Sequence, residues 1–138
     1  MNRWILASSL LSFAVVSVHV FAGGPDVHDP LLAAGASATL NTYVSVLWHA
    51  TTAVLLVDAV ALFVAAVHRG SRAALVGIVT SQYLAYAALF VGYGLHRLGS
   101  LLVTPQWIAF VVISVVALIG AWPRPTAAAS SSLAGPAS

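Results

Sequence analysis

The stretch from Tyr43 to His68, YVSVLWHATTAVLLVDAVALFVAAVH, decides the fold. It exceeds the roughly 20 apolar residues that a bilayer-crossing helix needs. It nevertheless contains two titratable side chains, His49 and Asp58. An ionisable group inside a membrane costs about 2.5–3.5 kcal/mol on insertion scales, so such groups usually face a bundle interior or a functional site. The stretch therefore predicts a transmembrane helix that requires neighbouring helices.

The composition places the whole chain in the membrane class. Of its 138 residues, 61% are hydrophobic and only 6% are charged, whereas about 25% of a soluble domain is charged. The chain has no cysteine, lysine or glutamate, which excludes disulfides, thiolate metal sites and Schiff-base lysines. Five arginines and three aspartates are too few charges for a nucleic-acid-binding surface.

Four apolar runs predict an all-α fold, an antiparallel bundle of four transmembrane helices within residues 1–122. The short link from His68 to Arg72 would make the second and third spans antiparallel neighbours. Residues 123–138 are rich in alanine and serine and carry one charged residue, Arg124, which is typical of a disordered tail. The predicted spans cover residues 4–22, 42–67, 73–95 and 105–122.

Two local features refine this picture. Residues 23–41 contain paired glycines and two prolines and are predicted to form a loop, in which Asp29 precedes Pro30 and should be extended or in a turn. In the third span, small residues should allow another helix to approach closely. The small residues are Gly77, Gly92 and Gly94.

The first apolar run has a second interpretation. Asn2 and Arg3 precede it, and Val20, Phe21 and Ala22 precede Gly23 in a pattern similar to a signal-peptide cleavage site. A signal core is only about 7–15 residues long, and the run is longer, which favours a retained span.

The arginines predict the orientation. A cytoplasmic N-terminus places four arginines inside and only Arg97 outside, in agreement with the positive-inside rule. The chain is therefore predicted to be a multi-pass protein of the bacterial inner membrane with both termini in the cytoplasm. The four inside arginines are Arg3, Arg69, Arg72 and Arg124.

A polar layer is expected inside the bundle. Asp58 and Gln82 should lie at the same depth on the second and third spans, and Ser12 and Ser114 near that depth on the first and fourth. One interpretation is a neutral Asp58 that is hydrogen-bonded to Gln82 and joins the helices. The other is a carboxyl group that exchanges protons or a polar site for a small ligand. Helical phase places His49 on the opposite side of the helix from Asp58.

Four histidines are expected at the extracytoplasmic face. Imidazole is the commonest metal ligand in proteins and also binds haem iron. Zinc, copper or iron could be held there, and His19 and His49 are the pair expected to approach each other. The alternative is that these side chains hydrogen-bond to the backbone or to lipid headgroups. The four candidates are His19, His28, His49 and His96.

A set of short landmarks resembles a group of small four-span bacterial inner-membrane proteins of uncharacterised function. The resemblance covers residues 1–122 and implies a four-helix membrane bundle but no activity. Its landmarks are His19, Phe21, Gly23-Gly24-Pro25, Pro30-Leu31-Leu32, Trp48-His49 and Pro105-Gln106-Trp107.

Three functions remain open from the sequence. The first is a non-enzymatic accessory or assembly protein, for which the bundle alone suffices. The second is a metal- or haem-binding protein with its histidine site at the outer face. The third is a proton-coupled transporter that uses Asp58 and Gln82 and acts as an oligomer. No catalytic residues are predicted, because the chain contains no nucleophile elbow, phosphate-binding loop or HExxH motif. The expected partners are the lipid bilayer, other membrane proteins or a second copy of the chain.

Overall fold

A computed structural model describes residues 1–122, and all regular secondary structure within that range is helical. The predicted disordered tail, residues 123–138, lies outside the described residues. Two π-helical turns, Gly24–His28 and Gly94–Leu98, interrupt the connections between the main helices. The α-helices are α1 (Arg3–Phe21), the short α2 (Asp29–Ala33), α3 (Ala38–Val67), α4 (Arg72–Tyr93) and α5 (Gln106–Ala121).

Three helical segments are long and apolar enough to cross a membrane: α1, α3, and α4 with its π-helical extension to Leu98. Helix α5 is equally apolar in character but has 16 residues. At 1.5 Å per residue it is about 24 Å long, shorter than the roughly 30 Å hydrocarbon core. The structure thus confirms an all-helical membrane protein, and the fourth span remains a prediction.

The four long helices form a closed arrangement. Helix α1 packs against α3 and α5, and α4 packs against the same two helices. Neighbours along this ring run antiparallel: Ser9 of α1 donates a hydrogen bond to the Ala59 carbonyl of α3 (2.9 Å), whereas His19 near the end of α1 meets Trp48 earlier in α3. The bundle therefore has two distinct ends, called here the Asn2 end and the His28 end.

Local sequence signals explain where the helices begin. The Asn2 side chain accepts hydrogen bonds from the backbone N–H groups of Trp4 and Ile5 and so caps α1. Ser37 accepts one from Leu40 in the same way, which starts α3 earlier than the expected residue 42.

The C-terminal end of α3 is stabilised by the side chain of Arg72. The Arg72 guanidinium donates to the carbonyls of Ala65 (2.9 Å) and Ala66 (3.2 Å), which α3 leaves unpaired at its C-terminus. Since Arg72 also begins α4, this contact fixes the tight reversal between the two helices.

The connection between α1 and α3 differs from the expected loop, because it contains helical turns. Asp29 has right-handed helical angles (φ −66°, ψ −45°), so of the two conformations expected before Pro30 it adopts a turn and not the extended one. The Asp29 N–H bonds to the Gly24 carbonyl, and this turn continues directly into α2. The hydrogen-bonded turn overcomes the usual bias of a residue that precedes proline.

The close helix approach also lies elsewhere than expected. A Cβ atom added at Gly77 or Gly92 would have no neighbouring atom within 4 Å, since both residues are on exposed parts of α4. At Gly94 it would meet the connecting segment, at Thr104 and Ser100. The tight crossing is instead at Gly120 of α5.

The outside of the bundle is apolar, unlike the surface of a soluble protein. Leucine, valine and isoleucine side chains cover it, while serine, threonine and aspartate side chains lie in the interior beside a larger set of buried apolar residues. Lipid is the solvent in which such a surface is stable. The buried polar residues are Ser8, Ser9, Ser12, Asp58, Thr80 and Ser114, and large exposed apolar residues include Leu10, Val18, Val57, Ile78 and Ile119.

Candidate functional site

Two groups of polar side chains could carry function. The central polar layer lies in the middle of the bundle and consists of Ser12, Asp58, Gln82, Tyr83 and Ser114. The histidine cluster lies at the His28 end and consists of His19, His28, Trp48 and His49.

In the central polar layer, Asp58 is buried with 4% of its surface exposed. The Gln82 side chain donates a hydrogen bond from Nε2 to Asp58 Oδ2 at 3.1 Å. The bond is partly buried and joins α3 to α4. The arrangement can bind the two helices together, and it leaves the other carboxyl oxygen, Oδ1, available as an acceptor.

The other members of the central polar layer come from the remaining helices. Ser12 of α1 and Ser114 of α5 are fully buried, and the Tyr83 hydroxyl of α4 is placed to hydrogen-bond with the Ser12 hydroxyl across the interior. The Ser114 hydroxyl has no hydrogen-bond partner among residues 1–122. Tyr83 was not predicted as part of the layer, although its position next to Gln82 is a usable signal.

Trp48 is the centre of the histidine cluster. The His19 ring stacks on it with 4.1 Å between centroids and 19° between planes. The His28 ring also stacks on it, at 5.2 Å and 25°. In the sequence Trp48 was noted only as part of the landmark Trp48-His49, and its role as a stacking platform was not predicted.

The His28 ring contacts the His49 ring. His19 also lies near His49, and the expected approach of His19 to His49 stays a prediction. The His28 and His49 ring centroids are 5.7 Å apart and the planes are inclined by 64°. His28 Nε2 lies 3.4 Å from Ser45 Oγ, and its Nδ1 lies 3.5 Å from Asp29 Oδ1. His19 remains against Trp48, and its buried Nε2 has no partner within the described chain.

An open cleft of about 600 Å³ adjoins His49. Polar and apolar side chains alternate along it, and Asn41 is held in place by a 3.4 Å hydrogen bond to the Leu32 carbonyl. The cleft gives His49 access from outside the bundle. It is lined by Leu32, Asn41, Thr42, Ser45, Val46 and His49.

His96 does not join this cluster by any aromatic contact of the described residues. It lies exposed in the second π-helical turn, beside Arg97, whose guanidinium carbon lies 5.2 Å from the centroid of the Tyr93 ring. Within residues 1–122, no group of three or more histidine, aspartate or glutamate side chains is arranged to hold a metal ion. The four-histidine site suggested by the sequence is therefore reduced to the pair His28 and His49.

Compared with models of protein families, with curated proteins and with solved structures, the chain finds no match.

Proposed function

We propose that this protein is a small, non-enzymatic membrane protein that acts as an accessory or assembly subunit, with four spans in the bacterial inner membrane. The observation that carries the proposal is the apolar outer surface of the bundle, together with the burial of Ser12, Asp58 and Ser114 in its interior. Such a molecule offers other membrane proteins an apolar surface, and its chemistry-bearing residues serve mainly to hold its own helices together.

The contacts of α5 support a fourth span. Its Gly120 end lies against Ile5 of α1, and Phe110, near its other end, packs against Tyr86 and Phe90 of α4. Helix α5 thus runs alongside two helices that are long enough to span. Its shortness would be accommodated by local bilayer thinning or by the interfacial side chains of Trp107 and Trp122.

The arginines support an orientation with the Asn2 end in the cytoplasm. Arg3, Arg69 and Arg72 lie at this end, and Arg97 lies at the other. Reporter fusions after Ala36 and after Ser71 should report outside and inside, respectively. The opposite pattern would contradict the topology, as would a mature chain that begins at Gly23.

The accessory role can be separated from proton transport by a flux measurement. Asp58 is buried and engaged with Gln82, which favours a role in joining α3 to α4. The purified protein in liposomes that contain a pH-sensitive dye should show the same proton leak as Asp58→Asn liposomes and protein-free liposomes. A leak that depends on Asp58 would overturn the non-transporting assignment.

A second candidate function is metal binding at the His28 end, and the distance between His28 and His49 favours it. A metal–nitrogen bond of 2.0–2.1 Å puts each ring centre about 3 Å from the ion, so a tetrahedral ion separates two ring centres by about 5 Å. The observed 5.7 Å is close to this separation. Asp29 beside His28 Nδ1 resembles the carboxylate that commonly orients a metal-binding imidazole. Only two protein ligands are supplied, so water or a partner would complete the coordination.

Titration of the detergent-purified protein with Zn²⁺, Cu²⁺ and Ni²⁺, together with a visible spectrum for haem, tests this candidate. His28→Ala and His49→Ala should each abolish stoichiometric binding. His96→Ala is the matched control, because His96 is exposed at the same end of the bundle and should leave binding intact. Equal affinity in all variants would exclude the pair as the site.

A further inference from the structure

Three arginines surround the junction of α1, α3 and α4 at the Asn2 end. The Ala66 carbonyl near the end of α3 accepts from the backbone N–H of Asn2 and from the Arg72 guanidinium. Arg3 follows Asn2 directly, and Arg69 lies in the turn between Ala66 and Arg72. The two bonds to one oxygen atom therefore place all three arginines at nearly the same level of the bundle.

Arg72 differs from the other two arginines because it has a role within the chain. Its guanidinium is bonded to the carbonyls at the end of α3, and its side chain is half-buried. Arg3 and Arg69 are exposed. Their guanidinium groups can therefore reach a group outside the chain.

The chain itself offers no acidic side chain to these arginines. Its acidic residues are three aspartates. Asp58 is buried in the middle of the bundle, and Asp26 and Asp29 lie in the connection between α1 and α3, at the opposite end. A negatively charged group that neutralises Arg3 and Arg69 therefore has to come from the surroundings of the protein.

The surface next to the contact between α1 and α3 faces lipid. The bond from the Ser9 hydroxyl to the Ala59 carbonyl marks this contact. The next residue on each helix, Leu10 on α1 and Val60 on α3, is exposed (62% and 46%). Because each residue advances a helix by about 100° and the two helices are antiparallel, both side chains point to the outer side of the contact.

This outer side, called here the α1–α3 seam, consists of Leu10, Val60 and Phe63. Phe63 is 47% exposed and lies on the same face of α3 as Val60. Arg3 precedes Leu10 by two helical turns and so lies on the same face of α1. The seam therefore leads along the apolar surface to the arginines at the Asn2 end.

The chemistry of this surface selects the ligand. A guanidinium can bind phosphate through two parallel hydrogen bonds, and the seam offers apolar side chains to an acyl chain. We propose that the α1–α3 seam binds an anionic phospholipid, with its phosphate against Arg3 and Arg69 and an acyl chain along the seam. The proposal goes beyond the accessory function, which requires no preference among lipids.

Arg72 adds to the selectivity for an anionic lipid. It places a third positive charge at the same level, and this charge repels the cationic part of a zwitterionic headgroup. A phosphatidylcholine could fill the seam with its acyl chain, but its headgroup would be the poorer match.

The first test is native mass spectrometry of the full-length protein purified in detergent. Phosphatidylglycerol and phosphatidylcholine with identical acyl chains are added at equal concentrations, and the bound amount of each is compared. We expect the protein to retain several-fold more phosphatidylglycerol. Equal retention of the two lipids would overturn the proposal.

Arg3→Gln and Arg69→Gln should each lower the affinity for phosphatidylglycerol about fivefold, from the roughly 1 kcal/mol that a basic side chain gains near anionic lipids. Arg97→Gln provides the control, because Arg97 is exposed at the His28 end and its loss changes the net charge equally. An equal loss in Arg97→Gln would show attraction to net charge alone and contradict the site. Displacement of the lipid by excess inorganic phosphate would overturn the acyl-chain contact.

The second test locates the acyl chain in the wild-type protein and so does not depend on the folding of a variant. Phosphatidylglycerol with a photoreactive diazirine in its acyl chain is irradiated with the protein in liposomes. Labelling should concentrate on peptides with Leu10, Val60 or Phe63 and should fall when unlabelled phosphatidylglycerol is added. Equal labelling of α5 at Ile119, which is 50% exposed, would contradict a specific site at the seam.

Discussion

The Asn2 side chain donates a hydrogen bond of 2.6 Å from Nδ2 to the Gly120 carbonyl, which joins the start of α1 to the end of α5. The same side chain caps α1 through Oδ1, and the Asn2 backbone N–H donates to the Ala66 carbonyl at the end of α3 (2.8 Å). One residue thus connects three helices at the Asn2 end. Few other side chains could both cap α1 and bond to α5, because these two roles require an acceptor and a donor on one short side chain.

Asn2→Ala should lower the free energy of unfolding, because it removes both the helix cap and the bond to Gly120. Loss of an N-cap alone costs about 0.5–2 kcal/mol. Asn2→Asp separates the two effects, since aspartate keeps the capping oxygen but has no Nδ2 donor. An intermediate stability for Asn2→Asp, measured by thermal or denaturant unfolding, would agree with the structure. If Asn2→Ala matched the wild type, the junction would not stabilise the bundle.

Gly120→Ala should destabilise the bundle by about 1–3 kcal/mol, the usual cost of overpacking. The new methyl group would lie 2.6 Å from Ile5 Cγ1 and 3.0 Å from the Ile5 backbone nitrogen, and a backbone atom cannot move aside as a side chain can. Gly77→Ala is the matched control. Its methyl group would meet no atom within 4 Å, and alanine is the better helix former by about 1 kcal/mol. Gly120→Ala should therefore lower the free energy of unfolding, and Gly77→Ala should raise it.

Asp58→Asn should keep the stability within about 1 kcal/mol of the wild type, because the asparagine oxygen can still accept from Gln82 Nε2. Asp58→Leu should weaken the bundle by a similar or larger amount, since hydrogen bonds between membrane helices contribute about 0.6–2 kcal/mol. A double-mutant cycle of Asp58→Leu with Gln82→Leu measures the coupling. Additive effects of the two changes would argue against a direct bond.

His19→Phe should preserve stability, and His19→Ala should lower it. Phenylalanine can maintain the stacking on Trp48 (4.1 Å) without a buried nitrogen that lacks a partner, while alanine loses an aromatic contact of about 0.5–1.5 kcal/mol. His96→Ala, at an exposed position, should leave the melting temperature unchanged. If His19→Ala were silent and His19→Phe destabilising, His19 would act through its nitrogen and not through stacking.

Cysteines at positions 28 and 49 should be joined by a short bifunctional thiol cross-linker in this cysteine-free chain, because side chains at these positions reach each other (ring centroids 5.7 Å apart). Treatment with the cross-linker followed by proteolysis and gel electrophoresis measures the yield. Cysteines at positions 96 and 49 provide the control and should react poorly. A reversed order of yields would place His96 nearer to His49 than the structure does.

The helical class and the Asp58–Gln82 pair could be predicted from the sequence, because hydropathy and a constant rise per residue fix helix position and depth. The contact of His28 with His49 could not be predicted in this way. A long connection between α1 and α3 permits many arrangements, and the turn that carries His28 to the cluster depends on Asp29 in helical geometry before Pro30. Gly120 was missed for a similar reason, since whether a glycine faces a neighbour depends on helix rotation.

The Ala66 carbonyl accepts from two directions, the Asn2 backbone and the Arg72 guanidinium. Arg72 follows Ala66 closely along the chain, so this half of the contact can form as soon as α3 and α4 have emerged. The Asn2 half needs α1 to return to a finished hairpin, and its bond to Gly120 needs α5, which follows α4 along the chain. The junction can therefore close only after α1, α3, α4 and α5 have all come together.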